Sequence, residues 1–308
     1  MLYPIVFTLF INTLLSNGLT CYNCRCTTQP CNCTDTSSNP FPGTETYCVI
    51  IRDKLDEDTY DISLEHIERN STKVFVKTPH YISVQESIMY DESEKYWYTR
   101  HDEITYGCNW DLCNKPEIIS LLPNSFDLRL RKSWLDENIL ENPTITSRDC
   151  HECSDFEVCA DTQFFIDESR CPVKSCSGTC FVKDRFDKPD STEFCYNSKC
   201  TDDSGPGNEI NKHKIILEAI WYLDEKKLDL WEIDVFCRAD DCSRIEIFDE
   251  IRKNLISTIN VDDKFYDLYQ QTTNKPPTTD NSPTVFIRST IVSLVIIGWF
   301  IQYIVINK

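Results

Sequence analysis

Glycine and histidine are scarce in this chain: 308 residues carry seven Gly and five His. So few glycines leave no Gly-rich loop to cradle a phosphate. The histidines, His66, His80, His101, His151 and His213, are scattered, with no His-Glu-x-x-His and no Gly-x-Ser-x-Gly. The common zinc-peptidase and serine-hydrolase motifs are therefore missing, and neither a catalytic centre nor a cofactor is expected. Basic residues are also in short supply, 31 Lys and Arg against 50 Asp and Glu, for a formal charge of -19. Such a field disfavours nucleic acid and anionic membrane surfaces, and is compatible with a cationic partner. Aromatics at 12% exceed what a disordered acidic chain carries, so folded modules are expected.

Eighteen cysteines are present, and their pattern occurs twice. Cys21-x2-Cys24, Cys48 and Cys108-x4-Cys113 reappear as Cys150-x2-Cys153, Cys180 and Cys237-x4-Cys242. One shift of 129 residues relates both ends (21 to 150, 113 to 242), and only the middle cysteine slips, by three more. Flanking residues agree, since Tyr47-Cys48-Val49-Ile50 matches Thr179-Cys180-Phe181-Val182 and Glu103-Ile104 matches Glu232-Ile233. The chain is thus a tandem duplication of a disulfide module of about 95 residues. Eight cysteines fall in the first repeat and ten in the second, so each repeat can pair its own. Even counts favour a disulfide framework formed in an oxidising compartment over zinc sites at the Cys-x2-Cys pairs, although His151 adjoins one of them.

The chain ends suggest a route to the cell surface. Met1 to Leu15 is apolar without an acidic residue, and Ser16-Asn17-Gly18 provides a small-residue exit, so residues 1–18 read as a signal peptide. At the other end Thr290 to Ile306 is uncharged, and seventeen helical residues span about 26 Å, the low end for a bilayer. Small or polar Asp280, Asn281 and Ser282 precede a spacer and this tail. That is the layout of a glycolipid attachment signal over 284–308, with Asn281 or Asp280 as the attachment residue. A single-pass helix stopped by Lys308 is the alternative. Residues 271–283, rich in Thr and Pro, read as an extended stalk. Asn70 and Asn32 lie in sequons; Asn70 is the better acceptor because Asn32 precedes Cys33.

Between cysteines the first repeat reads as strands. Lys73–Lys77, Tyr81–Val84 and Tyr96–Arg100 are short and rich in β-branched or aromatic residues. Ile215–Leu223 is ambiguous and is assigned to strand by analogy. The acidic run Asp91–Glu94 reads as a solvated hairpin tip. Each repeat is followed by an extension, 115–149 and 244–270. The second places Ile247, Ile251, Leu255 and Ile259 four residues apart, with Phe248 and Ile256 alongside, which predicts an amphipathic helix packed on its own module. No cysteine interrupts residues 49–107, so the bridges crowd one end of the module and long hairpins radiate from it.

Leu19-Thr20-Cys21-Tyr22-Asn23-Cys24 and the closing Asp111-Leu112-Cys113-Asn114 resemble the opening and closing signatures of the LU-domain three-finger family, the urokinase-receptor and snake-toxin superfamily. The resemblance covers Cys21 to Asn114 directly, and Cys150 to Ser243 through the repeat. It implies an all-β, small, disulfide-rich fold of two tandem three-finger modules, 19–114 and 150–243, with short helical extensions. It implies the pairs Cys21–Cys48, Cys24–Cys31 (or Cys33), Cys108–Cys113, Cys150–Cys180, Cys153–Cys159 and Cys237–Cys242. Pairing among Cys171, Cys176, Cys195 and Cys200 stays open. Asn114 is expected to tie the loop bases together by side-chain hydrogen bonds. The chain departs from the family at Gly107 and Phe236, where a cysteine adjacent to the next one is usual, and at Ser243, which replaces the final asparagine.

The family resemblance implies a non-enzymatic cell-surface protein, lipid-anchored on the extracellular face, that recognises or modulates a receptor, channel or other surface protein. An adhesion protein that self-associates is the alternative. Tyr96, Trp97 and Tyr98, with Trp221 and Tyr222, are the expected contact surface, because exposed aromatics anchor interfaces. The competing reading is that these aromatics only stabilise cross-strand pairs.

Overall fold

A computed structural model describes residues 19–27, 30–38, 46–56, 59–68, 78–140, 148–153, 158–160, 170–186, 194–201 and 213–273. In the first repeat β1 (Thr20–Tyr22) pairs with β3 (Thr36–Ser38), and β2 (Cys24–Cys26) lies beside β5 (Tyr60–Glu68). Two long hairpins follow, β4 (Thr46–Lys54) with β5 (Tyr60–Glu68) and β6 (His80–Asp91) with β7 (Tyr96–Cys108). The second repeat has β9 (Arg148–His151) with β11 (Val173–Cys176), β12 (Thr179–Phe186) with β13 (Phe194–Thr201), and β14 (Lys214–Tyr222) with β15 (Lys227–Cys237). Short β10 (Val158–Ala160) edges β13. Each repeat therefore presents three hairpins, and Ile215–Leu223 is strand through Tyr222. Lys73–Lys77 lies outside the described residues.

The repeats are not separate bodies. β6 pairs antiparallel with β14 along nine residues, so both repeats form one antiparallel sheet of ten strands, ordered β10-β13-β12-β15-β14-β6-β7-β4-β5-β2. Tyr81 faces Gly107 and Lys214 faces Phe236, and Gly107 and Phe236 are repeat equivalents; following both strands onward equates Gln85 with Glu218. Gln85 and Glu218 face each other across the seam, so a pseudo-two-fold axis passes between them. Both repeats carry a register shift at this level, between Gln85 and Glu86 and between Glu218 and Ala219.

Strand alternation sends Ile50, Ile82, Val84, Ile104, Tyr106, Val182, Ile215, Leu217, Ile233 and Val235 to one buried face. The extensions cover it. The first contributes a 3₁₀ turn (Pro116–Leu121), β8 (Leu128–Arg129) and α1 (Lys132–Asn138), burying Ile118, Ile119, Phe126, Leu128 and Leu135. The second contributes α2 (Glu246–Asn254), β16 (Ile256–Ser257) and α3 (Asp263–Thr273), burying Ile247, Phe248, Ile251 and Phe265. β16 pairs with β8, joining the two extensions.

The predicted amphipathic helix is thus shorter than its apolar spacing suggested. It ends at Asn254, and Ile256 is exposed in a strand. Phe248 packs on Tyr196 of its own repeat (ring centroids 6.2 Å apart), while Phe265 reaches Tyr106 of the other (5.2 Å). One compact unit runs to Tyr266. Beyond it only the end of α3 is described, and that helix continues to Thr273, three residues into the predicted stalk.

Candidate functional site

The base of the first repeat is closed by Cys21–Cys48, Cys24–Cys33, Cys26–Cys31 and Cys108–Cys113. Cys24 therefore takes Cys33, one of the two partners left open for it. The reason is local: Cys31 is claimed by Cys26, which lies on the same short strand as Cys24. In the second repeat Cys150–Cys180 and Cys237–Cys242 fall where the family resemblance puts them, and Cys176 joins Cys200. Cys153 joins Cys171 in place of the expected Cys159. Cys195 is disulfide-bonded and lies opposite Cys159 in the β10–β13 register, a pairing of strands that sequence spacing could not reveal. The sulfur clusters Cys24, Cys26, Cys31 and Cys150, Cys176, Cys180 are made of these bridged cysteines, so they offer no thiolate to a metal.

Asn114 is fully buried at this base. Its Oδ1 accepts from the Tyr22 N–H (2.9 Å), and its Nδ2 donates to the carbonyls of Tyr22 (3.0 Å), Val49 (3.0 Å) and Glu65 (3.5 Å). One side chain thus ties β1, β4 and β5 together. In the second repeat this work is divided. The Ser243 hydroxyl accepts from the His151 N–H (2.8 Å), the equivalent of Tyr22. The Ser198 hydroxyl is shared between the carbonyls of His151 (2.7 Å) and Phe181 (3.2 Å), the equivalents of Tyr22 and Val49. Ser198 is buried and stands where the first repeat has Leu64, so only the three-dimensional alignment exposes the exchange. The small loops closed by the last two cysteines also agree in backbone, with Leu112 (φ 52°) and its equivalent Asp241 (φ 53°) left-handed.

Gly107 stands where a side chain has no room. Tyr81 is fully buried, and a Cβ on Gly107 would sit 2.3 Å from its ring. In the second repeat Lys214 faces Phe236, and the Phe236 ring packs instead on Phe181 (4.8 Å).

The seam carries the strongest electrostatics. Half-buried Glu218 sits on the axis beside Glu232, Asp234 and Glu103, with Lys183 bridging Glu232 and Asp234. Burial, then Glu232, pushes the Glu218 carboxyl up to about 7, and burial raises Asp234 to about 6 against the pull of Lys183. Each third hairpin also runs to the base of the other repeat. Glu92 at one tip meets the buried ring of His213 (2.8 Å), and Asp224 at the other accepts from Thr78 beside His80, the equivalent of His213. Burial drives His80 down to about 4. The sequence carries one signal for this cluster, a lone acid within the apolar run Ile215-Ile216-Leu217-Glu218-Ala219-Ile220.

The predicted contact aromatics do not form one exposed patch. Tyr96 is 48% exposed, and Tyr98 lies half-buried next to it (5.8 Å). Trp97 packs at a tilt against Tyr90 (ring centroids 5.1 Å apart) and donates to Asp136 of α1 (2.9 Å). Trp221 donates to the Tyr266 hydroxyl (3.3 Å), and Tyr222 packs against Tyr47, Val49, Tyr81 and Ile220. Trp97, Trp221 and Tyr222 thus have structural partners, and among the described residues the Tyr96–Tyr98 pair does not. The run Asp91–Glu94 is a hairpin tip, where the Asp91 carboxylate accepts from the N–H groups of Ser93 (2.8 Å) and Glu94 (2.9 Å). Asn32 is exposed; Asn70, Asp280, Asn281 and residues 1–18 and 274–308 lie outside the described residues. Among the described residues no helix is long and apolar enough to cross a membrane. The disulfide content suggests an extracellular or secreted protein.

Comparisons with family models, with curated proteins and with solved structures give no match.

Proposed function

We propose that this chain is a three-finger protein of the LU type that binds another surface protein without catalysis, held on the outer leaflet by a C-terminal lipid. The observation that carries the reading is the base common to both repeats. Three hairpins spring from a disulfide-closed end that is sealed by a buried polar side chain immediately after the last cysteine, Asn114 or Ser243. The extensions occupy one sheet face. The opposite face, with Asp53, Glu65, Glu103, Glu218 and Glu232 half-buried on it, is left for a partner. With a net charge of -19, a partner presenting basic side chains is favoured.

Proximity labelling on intact cells, with the labelling enzyme fused behind the signal peptide, tests this reading. Repeated recovery of one other surface protein is expected, with binding that weakens as salt rises. Recovery of further copies of this chain alone would establish the self-associating adhesion role instead. Treatment with phosphatidylinositol-specific phospholipase C should release the protein, and retention with Lys308 still present would establish a membrane-spanning helix.

A further inference from the structure

A cavity of about 230 Å³ opens between the second and third hairpins of the first repeat and its extension. It is lined by Arg52, Lys54, Tyr60, His101, Asp102, Glu103, Ile104 and Asn124, and Arg52 is what makes it unusual. This side chain is 6% exposed, yet among the described residues its guanidinium has only a carbonyl partner, Pro123, and the face of the Tyr60 ring 5.1 Å away. Among the described residues no carboxylate forms an ion pair with it. Burial without a counterion lowers the pKa of the Arg52 guanidinium, the direction expected when a charge is held out of water uncompensated. Lys54, exposed at the rim, likewise forms no ion pair among the described residues.

The carboxylates nearby are engaged elsewhere. Asp102 accepts from the Ser87 hydroxyl (2.7 Å) and from Arg100. Glu103 projects to the other sheet face by strand alternation and accepts from the Thr105 hydroxyl (3.0 Å). Glu86, behind His101, accepts from the N–H groups of Phe126 (2.8 Å) and Leu128 (3.2 Å) and lies 3.3 Å from the His101 ring.

We propose that this pocket binds a small oxyanion, a carboxylate or sulfate group, on the fork of Arg52 with Lys54 and Asn124 at the mouth. A planar guanidinium with free N–H groups matches two oxygens at once. The volume lies below the range of about 300–1,000 Å³ that takes drug-sized ligands, so the bound molecule is of sugar-acid size or smaller. The acidic surface slows the approach of any anion, so affinity must come from contacts inside the pocket rather than from steering.

Equilibrium dialysis of the full chain with labelled sulfate, glucuronate and neutral glucose, at constant ionic strength set by chloride, tests the site. Saturable binding of one glucuronate or one sulfate per chain is expected, and none of glucose. The ratio of the two affinities identifies which oxyanion the site prefers. Arg52→Lys keeps the charge but loses the fork and should weaken binding about tenfold, while Lys54→Gln, at an exposed position, should weaken it about threefold. If Arg52→Lys does not fold, Lys54→Gln decides. No saturable binding up to about 10 mM, equal binding of glucose, or binding unchanged in both variants would overturn the proposal.

Discussion

Replacing Asn114 by Ala is the most informative single perturbation of the fold. The wild-type amide satisfies the Tyr22 N–H and the carbonyls of Tyr22 and Val49 at 2.9–3.0 Å, with a longer contact to Glu65. Ala leaves up to three well-made backbone partners without a side chain. At about 1–3 kcal/mol for each group that stays buried, and with water reaching some of them, the loss is about 3–6 kcal/mol. A single domain is stable by only about 5–15 kcal/mol. Because β6 and β14 share a seam, the loss is felt by both repeats. The second repeat provides the control. Ser243→Ala removes one acceptor, for the His151 N–H, and Ser198→Ala removes one donor, so each should cost about 1–3 kcal/mol. Only the double change should approach the severity of Asn114→Ala. Surface expression measured by flow cytometry, with thermal melts of whatever is secreted, checks the order. The reasoning is refuted if Asn114→Ala reaches the surface like wild type while Ser243→Ala does not.

Glu218→Gln should stabilise the protein at neutral pH. The folded carboxyl titrates near 7 against about 4.3 when unfolded, so the folded chain holds a proton that the unfolded chain has released, and stability falls as pH rises through that window. Removing the charge should return at most about 4 kcal/mol at pH 8, less what solvent screens, and almost nothing at pH 4, read as the gap between melts of variant and wild type. A variant that melts with wild type at pH 8 would contradict this. Gly107→Ala should cost about 1–3 kcal/mol, because the new methyl meets the buried Tyr81 ring, and a denaturant midpoint equal to wild type would show that the ring moves freely. Non-reducing peptide mapping should recover Cys24–Cys33, Cys26–Cys31 and Cys153–Cys171 and no bridge between the repeats; one major inter-repeat bridge would break the two-repeat description.

Local chemistry explains what was legible from residues alone. The duplicated cysteine spacing located both repeats, since a short loop such as Cys108-x4-Cys113 can close only on itself or nearby. The β-branched and aromatic runs around Tyr81 and Trp97 became strands because alternation can bury one side of them. Asn114 was identifiable through the resemblance of Asp111-Leu112-Cys113-Asn114 to a known closing motif, which ties its role to the adjacent cysteine. By contrast, Trp97 and Trp221 looked like contact residues, and their indoles turned out to be held by Asp136 and Tyr266 of distant segments. Periodicity overstated the helix after Ser243, because apolar residues at Leu255 and Ile256 recur equally well in a chain that turns into a strand against β8.

The amino-acid sequence by itself determined the duplication, the two half-frameworks of bridges and the strand-rich character of each repeat, because these follow from spacing and from side-chain type. Tertiary structure alone decided that β6 and β14 join the repeats about a pseudo-two-fold axis. Strand edges are made of backbone groups that every sequence carries, so which edge meets which is settled by packing. The same distance in sequence hid the replacement of one asparagine by Ser243 and Ser198, 45 residues apart, and the burial of Arg52 without a counterion. Such arrangements exist only when segments remote along the chain are brought within hydrogen-bonding reach.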